Sequence, residues 1–134
     1  MLNAAIVARE NAYSRYSNFK VGCAIRLADN QIVTGCNVEN SSFGATICAE
    51  RNAFSAAIAK GHRTFVAVAV VAFQEESFTS PCGICRQFMS EFAKTDIPVY
   101  LAKPALDDVL MTSIYQLLPH RFILNDGNEI DNNN

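Results

Sequence analysis

The chain has 134 residues with a formal net charge of −2, and half of its residues are apolar. That length suits one domain, 1–134, with enough apolar material for one core, and a faintly acidic balance with no run of like charge argues against a nucleic-acid module, which carries a basic face. Five cysteines, an odd number, and no signal-peptide pattern argue against a secreted disulfide framework, so the expectation is a cytoplasmic protein that does not engage membranes.

The first sixteen residues include Glu10 and read as an ordinary helix rather than a transit peptide, with Leu2, Ala5, Ile6, Ala8 and Ala12 on helical spacing from Leu2 to Ala12. Lys20 to Leu27 and Gln31 to Val38 read as two strands joined by a tight turn at Ala28-Asp29-Asn30. A Ser- and Gly-containing loop from Asn40 to Ala45 leads into a helix from Ile47 to Lys60, which Gly61 stops. Thr64 to Phe73 is continuously apolar and Val-rich, which suits a strand buried on both faces, and it is far too short to span a bilayer.

A second helix is expected from Cys82 to Ala93, with Ser80 as N-cap and Pro81 at its first position. Ile97 to Ala102 and Val109 to Thr112 read as strands, Ser113 to Leu118 as a short helix, and the tail, about 125–134, as frayed. Alternation of strand and helix from Gln31 to Ala102 implies crossovers and a partly parallel sheet, to which the opening hairpin adds an antiparallel pair. The fold class expected is α/β, a three-layer αβα arrangement around a mixed five-stranded sheet.

Cys82 and Cys85 lie three apart at a helix start, where free N–H groups and the helix dipole favour thiolate. Alone they fit a redox pair or half of a structural zinc site. Cys48 and Glu50 open the other helix and lie about 200° apart around it. They share no side face, yet side chains at a helix start lean toward its N-terminus, so both can converge beyond the helix end. Two helix starts facing one another would surround one ion.

Three cysteines leave one tetrahedral corner open, which a catalytic zinc requires. The histidines are poor fourth ligands: His62 lies about 20 Å of helix from Cys48, and His120 follows Pro119 with no ligand-spaced partner. Three thiolates outweigh one Zn²⁺, and Arg51 is placed to offset them by donating to sulfur, unless it is a solvated helix arginine. Glu50 is a proton shuttle or a glutamate complementing the helix dipole.

The motifs Cys48-Ala49-Glu50-Arg51 and Pro81-Cys82-Gly83-Ile84-Cys85-Arg86-Gln87 resemble the cytidine deaminase family in its small homotetrameric, three-cysteine zinc form. Tyr16-Ser17-Asn18-Phe19-Lys20-Val21-Gly22, Thr34-Gly35-Cys36-Asn37-Val38-Glu39-Asn40, and Leu117-Leu118-Pro119 followed by Phe122 look like further family motifs in order. The resemblance implies hydrolytic deamination of cytidine and deoxycytidine with one Zn²⁺ per subunit, held by Cys48, Cys82 and Cys85, and Glu50 as catalytic residue. It implies Asn37 and Glu39 on the ribose hydroxyls, Phe19 stacked on the base, and the Ala49 backbone at the base edge. It also implies Phe43 and Phe122 reaching a neighbouring subunit's nucleoside. Cys23, Lys20, Phe43 and the Ala105-Leu106-Asp107-Asp108 turn depart from the family pattern. Rival readings are a deaminase of another small base, a zinc-stapled interaction domain, and a nucleic-acid editor.

Overall fold

In the computed structural model, which describes residues 1–124, helix α1 spans Leu2–Glu10. Ala5 and Ala8 are buried on one stripe of it. The helix ends short of the expected Ala12. The N–H groups of Asn11 and Ala12 turn back to the carbonyls of Ala8 and Arg9, and Tyr13 leaves to exchange backbone hydrogen bonds with the Asn37 and Glu39 peptides.

Strands β1 (Val21–Leu27) and β2 (Ile32–Cys36) form the expected hairpin. Asn30 sits at φ 67° in its turn, a left-handed conformation that asparagine tolerates well. A 3-10 turn at Phe43–Ala45 precedes helix α2 (Ala49–Ala59). Strand β3 (Phe65–Ala72), helix α3 (Gly83–Glu91), strands β4 (Pro98–Ala102) and β5 (Val109–Ser113), and the short helix α4 (Ile114–Leu117) follow. Strand β2 stops at Cys36 rather than Val38, because Val38 forms isolated bridges with Tyr13 and Ile47 instead.

The sheet has the order β2-β1-β3-β4-β5. Only β3 and β4 pair in parallel; the other three pairings are antiparallel. The connection from β2 through α2 therefore lands beyond β1, not beside β2. Helix α1 covers one face, over Ala24, Ala69, Val71 and Ala102. Helices α2 and α3 cover the other, over Cys23, Ile25, Val68, Val70, Val99 and Leu101. This is the mixed five-stranded, three-layer arrangement expected.

Two glycines let the helices approach the sheet. A Cβ on Gly22 would lie 1.9 Å from the Ala5 carbonyl oxygen, and one on Gly35 would lie 2.5 Å from the Ala53 nitrogen. Phe54 of α2 is fully buried, with its ring centroid 4.9 Å from Phe65 and 5.7 Å from Phe92. Burying such a ring is worth about 1.5–3 kcal/mol, and it fixes α2 against β3 and the end of α3.

The start of α3 differs from expectation. Its N-cap is Cys82, with extended φ −67° and ψ 167°, and Pro81 lies outside the helix. Ser80 lies two residues before that cap, and its hydroxyl accepts a hydrogen bond from Arg86 Nη2 at 2.9 Å. At the last hairpin Leu106 takes φ 55°, a conformation that costs a leucine roughly 1–2 kcal/mol, yet β4 and β5 stay in regular register. The tail expected to fray, 125–134, lies outside the described residues. No helix among the described residues is long and apolar enough to cross a membrane.

Candidate active site and metal centre

Sheet register explains why distant cysteines meet. Cys36 at the end of β2 pairs with Gly22, and Ala72 at the end of β3 pairs with Val21. Both strands thus finish at the same sheet end, beside the start of β1. The helices that follow them, α2 and α3, start from that end, so their N-termini share one crevice. Ligands of α/β sheets gather outside the carboxyl ends of strands for this reason.

The N-cap residues of the two helices are Cys48 and Cys82, and neither side chain caps its own helix. Their sulfurs are free to point outward, and they lie 3.9 Å apart. Cys85, one turn into α3, completes a group whose three Sγ atoms all lie within 4.8 Å of one another. Tetrahedral sulfurs bonded to one zinc at ~2.3 Å stand roughly 3.8 Å apart, so the cradle fits zinc. Cys23 is buried in the core and Cys36 lies outside this group.

Arg51 reaches the cradle. Arg51 Nη2 donates to Cys48 Sγ at 3.6 Å and to the Thr46 carbonyl at 3.0 Å. The Cys85 thiol facing Cys48 pulls the Cys48 pKa down to about 5, against the effect of burial and with help from Arg51 and Cys82. Cys85 is pushed up as the donor to Cys48, and its burial and the Glu50 charge act the same way. Two helix N-termini add partial positive charge. Arg51 Nε is buried without a partner among the described residues.

Glu50, in the first turn of α2, is 4% exposed. Burial raises its carboxyl pKa, and the Cys48 charge adds to this. Both effects favour the protonated form of this carboxyl over what it would be in water. The structure therefore brings Cys48, Cys82, Cys85, Glu50 and Arg51 together.

The residues expected at the sugar are near one another on the same sheet end. Asn37 is buried; its Oδ1 accepts from Val21 N–H at 2.8 Å and its Nδ2 donates to the Phe19 carbonyl at 2.8 Å. One N–H and one lone pair of that amide remain. Glu39 Oε2 accepts from Tyr16 N–H at 2.8 Å and Ser17 N–H at 3.2 Å, and Oε1 accepts from the Ser17 hydroxyl. The Ser17 bond is the main cause of a lowered Glu39 pKa. Ser17 Oγ also accepts from Phe19 N–H at 3.0 Å.

Ala49 is fully buried, and its carbonyl would lie 2.6 Å from a Cβ on Gly35. Phe43 is 76% exposed, with its ring edge-on to Tyr16 at 6.0 Å. An open pocket of about 350 Å³ is lined by Tyr16, Ser17, Glu39, Phe43 and Thr46. It lies at the Glu39 end, not over the cysteines. Phe122 is exposed and lines a different pocket, with Ser90, Glu91 and Lys94. Within one chain the structure does not bring Phe122 to the cysteine group.

Four residues of the site's framework carried no signal of their own in the sequence. Ser17 holds Glu39 and Phe19. Asn52 Nδ2 donates to the Cys36 carbonyl at 2.8 Å and ties α2 to the end of β2. Gln87 and Phe122 exchange two hydrogen bonds, side chain to backbone, at 3.0 and 3.2 Å. Arg86 binds three oxygens around the start of α3. The positions next to Cys85 in the motif are the one cue that pointed at Arg86 and Gln87.

Comparison with known proteins agrees with this geometry. The family model described as "Cytidine and deoxycytidylate deaminase zinc-binding region" matches residues 1–101. A cytidine deaminase of Sporosarcina psychrophila is 47% identical over 119 residues, 89% of this chain and 86% of that protein. One from Halalkalibacterium halodurans is 42% identical over 129 residues, 96% of each. The crystal structure of cytidine deaminase from Burkholderia pseudomallei superposes with a TM-score of 0.85 at 46% identity, covering 90% of this chain and 95% of that one. On its matched sequence, its fold and its three-sulfur zinc cradle, the chain belongs to the cytidine and deoxycytidylate deaminase family.

Proposed function

We propose that this chain, working as one domain, hydrolyses cytidine and deoxycytidine to uridine and deoxyuridine with release of ammonia, a pyrimidine-salvage reaction in the cytoplasm. The observation that carries this reading is a buried carboxyl, Glu50, interacting with Cys48 and Cys85 of three convergent sulfurs. A zinc-stapled interaction domain gives that carboxyl no task.

Cys48, Cys82 and Cys85 would hold zinc, which would supply the Lewis acidity that makes water a nucleophile at neutral pH. Glu50 accepts the proton that the attacking water gives up and delivers it to ring N3. The water oxygen adds at C4. Glu50 then carries the proton of the new C4 hydroxyl to the exocyclic nitrogen; the C4–N bond breaks, ammonia leaves, the C4 carbonyl forms, and Glu50 ends ionised as it began. Arg51 moderates the negative charge of the thiolates through Cys48.

Asn37 and Glu39 bind the ribose hydroxyls. The remaining N–H and lone pair of Asn37 and the carboxylate of Glu39 are the matching partners. Phe19 stacks on the base, and the buried Ala49 backbone meets its edge. Phe43 and Phe122, both largely exposed, complete the nucleoside site of a neighbouring subunit in a homotetramer. Acidic Glu39 at the sugar end favours a nucleoside over a phosphorylated or polymeric substrate.

The test is the ultraviolet absorbance change as cytidine becomes uridine, with and without a zinc chelator. Turnover that stops with chelation and returns with zinc is expected. Zinc-loaded protein that releases no ammonia from cytidine while deaminating another base would move the substrate assignment.

A further inference from the structure

The three zinc ligands are held by unequal means. Cys85 is fully buried and fixed by core packing. Cys48 is half-buried and gripped at its sulfur by Arg51. Cys82 is exposed, its side chain caps no helix, and among the described residues its sulfur has one partner at hydrogen-bond distance, the Cys48 sulfur at 3.9 Å. Its direction must come from its backbone.

That backbone is anchored through the preceding peptide. Pro81 is buried below 2% exposure and has no N–H of its own. Its carbonyl accepts from Arg86 Nε at 2.8 Å. The same guanidinium donates from Nη2 to Ser80 Oγ at 2.9 Å and from Nη1 to the Leu117 carbonyl, at the end of α4, at 3.0 Å. Three donors of one planar fork thus bind three oxygens on two segments. The Pro81–Cys82 peptide plane fixes the Cys82 N–Cα bond, and with Cys82 at φ −67° this places its Cα–Cβ bond, so holding the Pro81 oxygen limits where the sulfur can reach. Among the described residues the Arg86 guanidinium donates to three oxygens and to no sulfur, so its influence on the cradle is geometric, whereas Arg51 donates to Cys48 Sγ directly.

We propose that Arg86 is a positioning residue for zinc, which aims Cys82 by clamping the Pro81 carbonyl to Ser80 and to the Leu117 carbonyl. The inference rests on the zinc-deaminase reading. The planar five-donor fork is the operative feature, so a lysine, with one charged nitrogen, cannot replace it.

The experiment measures release of zinc from the holoenzyme to a colorimetric chelator for native protein, Arg86→Lys and Gln87→Ala. Melting temperature is measured with and without zinc. A cobalt-substituted sample of each reports the thiolate-to-metal charge-transfer band. Loss of a group that orients a metal ligand typically costs 10–100-fold in metal affinity. Arg86→Lys should therefore release zinc about tenfold faster or more, lose part of the zinc-dependent rise in melting temperature, and shift the cobalt band. Gln87→Ala removes the neighbouring clamp on the C-terminal segment but not the one on Pro81, and should release zinc at the native rate. A native release rate and an unshifted cobalt band in Arg86→Lys overturn the proposal, as does an equal fall in melting temperature with and without zinc. Native protein that holds no zinc at all would instead refute the deaminase reading.

Discussion

The metal end of the crevice and its sugar end are built by different means. At the metal end, ligand positions follow from secondary structure: Cys48 and Cys82 are helix N-caps, and Cys85 is packed in the core. At the sugar end, Asn37 and Glu39 are positioned by side-chain hydrogen bonds to backbone and loop groups, most of them from residues 16–21. Two residues expected at the nucleoside, Phe43 and Phe122, stand exposed. The metal end is finished within one chain, and the sugar end has apolar side chains still to be covered. On the proposed reading, chemistry that tolerates little displacement sits on helix starts and core packing, and recognition sits on the segment after β2.

Glu50→Gln keeps the shape of the crevice and removes the ionisable group, so turnover should fall by roughly three orders of magnitude with zinc content unchanged by metal analysis. Near-native turnover would take the proton transfer away from Glu50. A smaller but still large effect is expected from Gly35→Ala. The added methyl meets the backbone of Ala49 and Ala53 at 2.6 and 2.5 Å, so α2 must move. Overpacking of this kind costs about 1–3 kcal/mol, and calorimetry together with a fall in bound zinc checks it.

The smallest effect sharpens the sugar end. The Ser17 hydroxyl, more than any other group, holds the Glu39 carboxyl below its usual range. A lowered pKa means that the clamp between Glu39 and the Tyr16–Ser17 loop is intact above the ordinary glutamate value and is lost as pH falls through the lowered one. Ser17→Ala should move the Glu39 inflection in a carbon NMR titration upward, toward the ordinary glutamate range, and raise KM with little change in kcat. An unmoved inflection would mean that the two backbone N–H donors alone set it.

The difference between the two ends also governs how much the sequence disclosed. The five strands, the flanking helices and the three cysteines were legible, because apolar periodicity and ligand spacing are local properties of the chain. Convergence of Cys48 with Cys82 was inferable from two helix starts, and the pairings of Cys36 with Gly22 and Ala72 with Val21 supply the reason. Local pattern misjudged the start of α3, where Ser80-Pro81 has the form of a cap but Arg86, six residues on, takes the serine hydroxyl. Ser17, Asn52 and Arg86 act through bonds between residues far apart in the chain or through backbone carbonyls, which no spacing rule reports. Phe122 was legible only through resemblance, since its expected role lies in another subunit.

X-ray absorption at the zinc edge of the active enzyme addresses the core of this account directly. Three sulfur scatterers at about 2.3 Å and one light atom at about 2.0–2.2 Å are predicted, with the light atom retained in Glu50→Gln and the sulfur count falling by one in Cys82→Ser. Four sulfurs, or fewer than three, in the native enzyme would contradict it.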